Sequence, residues 1–130
     1  MPENTPFELM GGQKAVDRLV DAFYHRMDTL PEAATIRALH TEDLSDIKVV
    51  LKKYLGERLG GPPAYSQERG HPRLRMRHLP FPIGAAERDA WMLCMRGALE
   101  EVVESEQLRV WLLERFLKTA DWMRNRNEPA

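Results

Sequence analysis

The sequence predicts an all-α domain. Three observations carry that reading. Apolar residues recur at three- and four-residue spacing through most of the chain. No stretch alternates with the period of two that a half-buried strand requires. Residues that cap helices stand at the starts of the periodic runs. At 130 residues the chain fits one domain, and a globule of this size buries roughly two-thirds of its unfolded surface. The expected domain spans 1–130, with its core at about 7–124 and a polar, frayed tail over 125–130.

Thr5-Pro6-Phe7-Glu8 opens a short helix, with Thr5 as cap, Pro6 in the first turn and Glu8 three residues after the cap. Gly11-Gly12 ends it. Val16, Leu19, Val20, Phe23, Tyr24 and Met27 then mark an amphipathic helix over about 13–28. Thr29-Leu30-Pro31-Glu32 reads as another capped start, leading into a short helix through Leu39. Thr41-Glu42-Asp43 starts the next, with acids where the helix dipole favours them. Its apolar face is Leu44, Ile47, Leu51, Tyr54 and Leu55, and Gly60-Gly61-Pro62-Pro63 stops it.

From 60 to about 84 the periodicity fails, because five prolines and four glycines leave room only for short turns near 65–69 and 73–78. An irregular stretch of that length inside a compact domain is usually functional. Regular structure resumes near Ala86. Trp91, Cys94, Met95, Ala98, Leu99, Val102 and Val103 line one helix. Leu108, Trp111, Leu112, Phe116 and Ala120 mark the last, with Ser105 placed to cap it.

Composition narrows the function. Nineteen basic and twenty acidic residues nearly cancel, which argues against wholesale nucleic-acid binding. The longest apolar runs fall far short of the ~20 residues that span a bilayer. Met1-Pro2-Glu3-Asn4 has neither the positive region nor the apolar stretch of a signal peptide. Cys94 is the only cysteine, so no intrachain disulfide can form and a reducing cytoplasm is the expected setting. None of His25, His40, His71 and His78 stands in a His-x-x-x-His pair, and there is no Cys-x-x-Cys, so a protein-only zinc site has little support. Neither a nucleophile elbow nor a phosphate-binding glycine loop is present.

Two features then ask for an explanation. No acid falls between Glu68 and Glu87, while Arg69, Arg73, Arg75 and Arg77 fall within ten residues around His78. The helical apolar and aromatic set is also larger than core filling obviously requires. A bound haem would make sense of both. It is a flat apolar disc with two carboxylates and an iron that accepts an axial nitrogen, and arginine pairs with carboxylates bidentately. The spacing alone is equally that of a basic loop on a haem-free helical module that grips an acidic partner or RNA.

The run Gly60-Gly61-Pro62, Tyr65, Arg69-Gly70-His71-Pro72-Arg73-Leu74-Arg75-Met76-Arg77-His78, Pro80-Phe81, Ile83 and Glu87-Arg88-Asp89-Ala90-Trp91 resembles the group II truncated haemoglobins. Phe23-Tyr24 and the glycines at 11–12 agree, and the resemblance covers roughly residues 7–124. It implies a truncated globin, a two-over-two helical sandwich, holding haem b. His78 matches the proximal iron ligand, Tyr24 the distal tyrosine, and Trp91 the tryptophan beside the bound ligand. His40 falls at the pocket edge, and Ile47 and Leu51 match the distal-helix positions facing the iron. Arg77 and Tyr65 are candidates for the propionate rim, and Leu51, Met76 and Phe81 complete the expected haem contacts.

The resemblance further implies an iron whose sixth position is open to dioxygen, nitric oxide or carbon monoxide. Bound dioxygen carries partial negative charge. The Tyr24 hydroxyl and Trp91 indole N–H would therefore stabilise it by about 0.5–1.5 kcal/mol each. Ile47 cannot donate, so stabilisation must come from Tyr24, Trp91 and His40. Peroxidase-like activity or nitric oxide removal is compatible with such a donor-rich side and would draw on an external reductase. No nucleic acid or membrane is expected as partner, and the chain is expected as a monomer or homodimer. Without the resemblance, Tyr24 and Trp91 read simply as core aromatics. His25 reads as solvent-facing, His71 as a structural loop histidine and Cys94 as a small buried apolar residue. Met10, Met27, Met76, Met92 and Met95 read as core filler.

Overall fold

In the computed structural model, which describes residues 4–126, the chain opens with α1 (Pro6–Met10). Thr5 caps it by accepting the Glu8 N–H at 3.2 Å, and Gly11 ends it with φ of 119°, a left-handed conformation that favours glycine. Helix α2 (Gly12–Thr29) follows at once and carries the densest part of the core. Val16, Leu19, Val20, Phe23 and Met27 are fully buried at the spacing the sequence predicts, each contributing about 1.5–3 kcal/mol by leaving water.

A single 3-10 turn at Pro31–Ala33 leads into α3 (Ala34–Arg37). The expected cap at Thr29 is not one. Its hydroxyl donates to the His25 carbonyl one turn back, at 2.8 Å, and so closes α2 instead of opening α3. The next start also differs from expectation. The Asp43 carboxylate takes the Ser45 N–H and hydroxyl at 2.9 and 2.6 Å, which delays helix α4 to Ser45–Arg58 and leaves Asp46 as its first-turn acid.

After α4 come two short helices, α5 (Ala64–Arg69) and α6 (Leu74–His78), and then the long α7 (Ala85–Val102) and α8 (Glu106–Trp122). Glu87 accepts the Gly84 N–H at 2.7 Å to start α7, and Ser105 accepts the Leu108 N–H at 3.2 Å to start α8. Among the described residues there is no strand. The long helices pack in pairs, α2 with α4 and α7 with α8, and α2 packs most extensively on α7. Met95, Leu99 and Leu112 complete the fully buried centre from the second pair.

Two elements bury little of themselves. Helix α4 buries only Leu55 and Gly56, and α6 buries none of its residues. Large apolar side chains on and just after these elements remain at the surface: Ile47, Met76, Leu79 and Phe81. Met76 is thus no core filler. A five-residue helix that lies over the core cannot bury it. Nor does the chain fray at 125. The Asn125 N–H donates to the Ile83 carbonyl at 2.8 Å and its side chain accepts the Ile83 N–H at 3.0 Å. The rest of the expected tail, 127–130, lies outside the described residues.

Candidate haem-binding site

His78 is the last residue of α6, and its Nδ1 lies 2.6 Å from the Leu74 carbonyl oxygen. A carbonyl only accepts, so Nδ1 carries the proton and Nε2 carries the free lone pair. That is the tautomer a metal ligand needs, with the N–H to carbonyl bond orienting the ring and raising its basicity. The segment before it is set by backbone strain. Arg73 takes φ of 48°, unusual for a residue with a side chain, and its N–H donates to His71 Nδ1 at 3.0 Å. His71 therefore has the structural loop role expected of it.

Tyr24, His40 and Trp91 gather around Phe23. The Tyr24 and His40 rings are 5.9 Å apart, the Phe23 and Tyr24 rings 5.0 Å, and the Phe23 and Trp91 rings 5.0 Å. Tyr24 is 3% exposed, yet its hydroxyl engages no described residue, and neither does the Trp91 indole N–H. Burial pushes the Tyr24 hydroxyl well above the ordinary tyrosine range, so it stays a donor. His40 Nδ1 bonds the Ile36 carbonyl at 2.8 Å, which leaves its Nε2 free. Two donors without a protein partner and a free imidazole nitrogen in one aromatic cluster suit a small polar ligand.

The other expected residues divide. Ile47 stands 36% exposed on α4 and Phe81 39% exposed after α6, while Leu51 packs partly buried against the core. Arg77 is exposed, and its Nε donates to the Pro72 carbonyl at 2.9 Å. Tyr65 is not at an exposed rim. It is 4% exposed and packs edge-on to Tyr54 at 5.7 Å, because α5 folds back on α4. Tyr54 is the ring that reaches the adjacent cavity.

That cavity, of about 590 Å³, lies between α4, α6 and the end of α8, with Tyr54, Arg58, Arg73, Leu74, Met76 and Trp122 among its walls. A second, of about 630 Å³, is walled by Leu30, Arg37 and His40 beside the distal cluster. Both are within the roughly 300–1,000 Å³ of ligand pockets, but neither is lined by His78, Tyr24 or Trp91. The side chains of His78, Tyr24 and Trp91 define the candidate site, with the cavities beside it. Arg58 and Asn125 had escaped sequence reasoning. Arg58 stands at the end of α4, outside the arginine run, and an isolated asparagine carries no periodic signal.

The residues fit a haem. An imidazole with its lone pair free, exposed apolar side chains on the elements to either side, arginines without a described carboxylate partner at the edge, and the Tyr24 and Trp91 donors suit an apolar disc with two carboxylates and an iron. Among the described residues no group of His, Cys, Asp or Glu side chains could hold a metal ion unaided.

Comparison with known proteins agrees. The profile of the bacterial-like globin family matches residues 5–125. A group 2 truncated haemoglobin of Bacillus subtilis, YjbI, is 39% identical over 96% of this chain and 92% of its own. Among solved structures, the group II 2-on-2 haemoglobin of Agrobacterium tumefaciens is similar with a TM-score of 0.92 at 45% identity, covering 96% of this chain and 97% of that one. A cold-adapted truncated haemoglobin from Pseudoalteromonas haloplanktis has a TM-score of 0.93 at 35% identity, covering 95% and 100%. The chain belongs to the bacterial-like globin family, as a group II truncated haemoglobin with the two-on-two fold. Membership implies a haem cofactor and haem-based binding of small gas molecules.

Proposed function

We propose that the chain binds haem b through His78 Nε2 and reversibly binds dioxygen, nitric oxide or carbon monoxide on the opposite face. The observation that carries this reading is the 2.6 Å contact from His78 Nδ1 to the Leu74 carbonyl, which commits one ring nitrogen and frees the other. When bound, haem would supply an iron that the His78 imidazole holds and that a diatomic gas can bind. Tyr24 and Trp91 hold donors at the ligand side, His40 brings the lone pair of its Nε2 there, and Ile47 and Leu51 keep that side apolar. Arg77, with donors left over from its bond to Pro72, is the proposed propionate partner, joined by Arg58 and Arg73 at the cavity wall.

The same donors support removal of nitric oxide or peroxide, with electrons from a separate reductase. A reducing cytoplasm suits the single buried thiol, Cys94. The test is the visible spectrum. The purified, haem-supplemented protein should show a Soret band that is lost in His78→Gly and restored by added imidazole. Stopped-flow mixing of the reduced protein with each gas then ranks the ligands. Protein that stays colourless with haem present would overturn the reading and favour a haem-free helical module.

A further inference from the structure

We propose that Asn125, beyond the end of α8, is a positioning residue for His78, clamping the segment that carries the imidazole. The inference rests on the reading of His78 as the iron ligand. Helix α6 needs such a clamp. Its five residues make little more than one turn and none is buried. Helices so short do not hold themselves in water, so their geometry must come from tertiary bonds.

Asn125 supplies them across a separation of 47 residues. Its Nδ2 donates to the His78 carbonyl at 3.1 Å. Its Oδ1 accepts the Ile83 N–H at 3.0 Å, and its own N–H donates to the Ile83 carbonyl at 2.8 Å. The amide can point only one way, because the Ile83 N–H must meet an oxygen and the His78 carbonyl must meet a nitrogen. The loop from His78 to Ile83 is therefore held at both ends by one side chain.

A second contact runs the other way. Arg75, on the same short helix, donates to the Trp122 and Arg124 carbonyls at 2.6 and 3.1 Å. These lie at the end of α8, where carbonyls lack partners within the helix. So α6 caps the end of α8, and Asn125, three residues past Trp122, fastens the end of α6. The imidazole has its Nδ1 tied to Leu74 within α6 and its backbone tied to Asn125 outside it. With both fixed, the direction of Nε2 is fixed relative to α8. Release of Asn125 frees the His78 backbone to rotate, and the ring turns with it.

The test uses the haem-loaded full chain with Asn125→Ala and Asn125→Asp. The first removes both side-chain bonds. The second keeps an acceptor for the Ile83 N–H but sets a carboxylate oxygen against the His78 carbonyl. Resonance Raman of the reduced, ligand-free protein reads the iron–histidine stretch, and amide exchange reads residues 74–83. We expect the stretching band to shift and broaden in both variants, with exchange on the order of tenfold faster in Asn125→Ala. The infrared band of added carbon monoxide, which senses the distal donors, should stay in place. An unmoved iron–histidine band in both variants overturns the proposal, even where exchange quickens, since Asn125 would then only stitch the fold. Failure of the underlying reading looks different: a Soret band that survives His78→Gly.

Discussion

The rings of Tyr24 and His40 meet edge to face with centroids 5.9 Å apart, and each carries a polar atom that no described residue engages. The pair closes one side of the aromatic cluster around Phe23, and under the proposed function both atoms would face the bound gas.

Tyr24→Phe tests that arrangement. Loss of one hydrogen bond to the ligand should speed dioxygen release roughly two- to tenfold, measured by stopped flow. Unfolding by urea should change by no more than about 0.5 kcal/mol, because the deleted hydroxyl has no protein partner to leave behind. Unchanged release in both Tyr24→Phe and Trp91→Phe would remove these donors from ligand binding.

A pH dependence follows from the burial of the same group. Desolvation raises the Tyr24 hydroxyl above its ordinary pKa of about 10, and raises Tyr54 too. The stability tied to these protons is fully present below about pH 10. Above it, the unfolded chain releases protons that the folded chain keeps, so stability falls as pH rises. Urea titrations from about pH 9 to 11 should show that fall, less steep in Tyr24→Phe. Superimposable pH profiles for the two proteins would count against it.

Phe23 is fully buried and touches the rings of both Tyr24 and Trp91. Phe23→Ala should cost about 3–5 kcal/mol in urea unfolding and alter ligand kinetics through two neighbours it no longer spaces. A loss under about 1 kcal/mol would mean that the site collapses to fill the cavity.

Two glycines should respond differently to a methyl group. At Gly61 a Cβ would lie 2.8 Å from the Gly56 carbonyl oxygen, which is backbone, and 2.6 Å from the Phe7 ring. At Gly97 it would run into the Arg26 side chain, and that side chain can swing away from Glu101. Gly61→Ala should therefore cost about 1–3 kcal/mol and Gly97→Ala less. Thermal melts that reverse this order would refute the argument.

Helix α2 was legible because it buries a stripe with a period of 3.6, Val16, Leu19, Val20, Phe23 and Met27. Helix starts were less so. Thr29 and Thr41 both read as helix starts, but each hydroxyl donates to a nearby carbonyl instead, and only packing decides. His78, Tyr24 and Trp91 were singled out through the length of the motif that carries them, and the proposed function rests on them. Tyr65 shows the opposite case, since its residue type suits a rim but α5 turns it inward against Tyr54. Asn125 was unreadable because a single polar side chain acting over 47 positions leaves no local trace.

That α6 buries none of its residues has a consequence for the amount of protein in the cell. A ligand gripped by the native chain and not by the unfolded one adds stability by mass action, increasing with its free concentration over its dissociation constant. The region around His78, thinly supported by its own packing, should be where proteases first cut when haem is scarce. Haem supply would then set how many copies survive, coupling the pool of this globin to the synthesis of its prosthetic group.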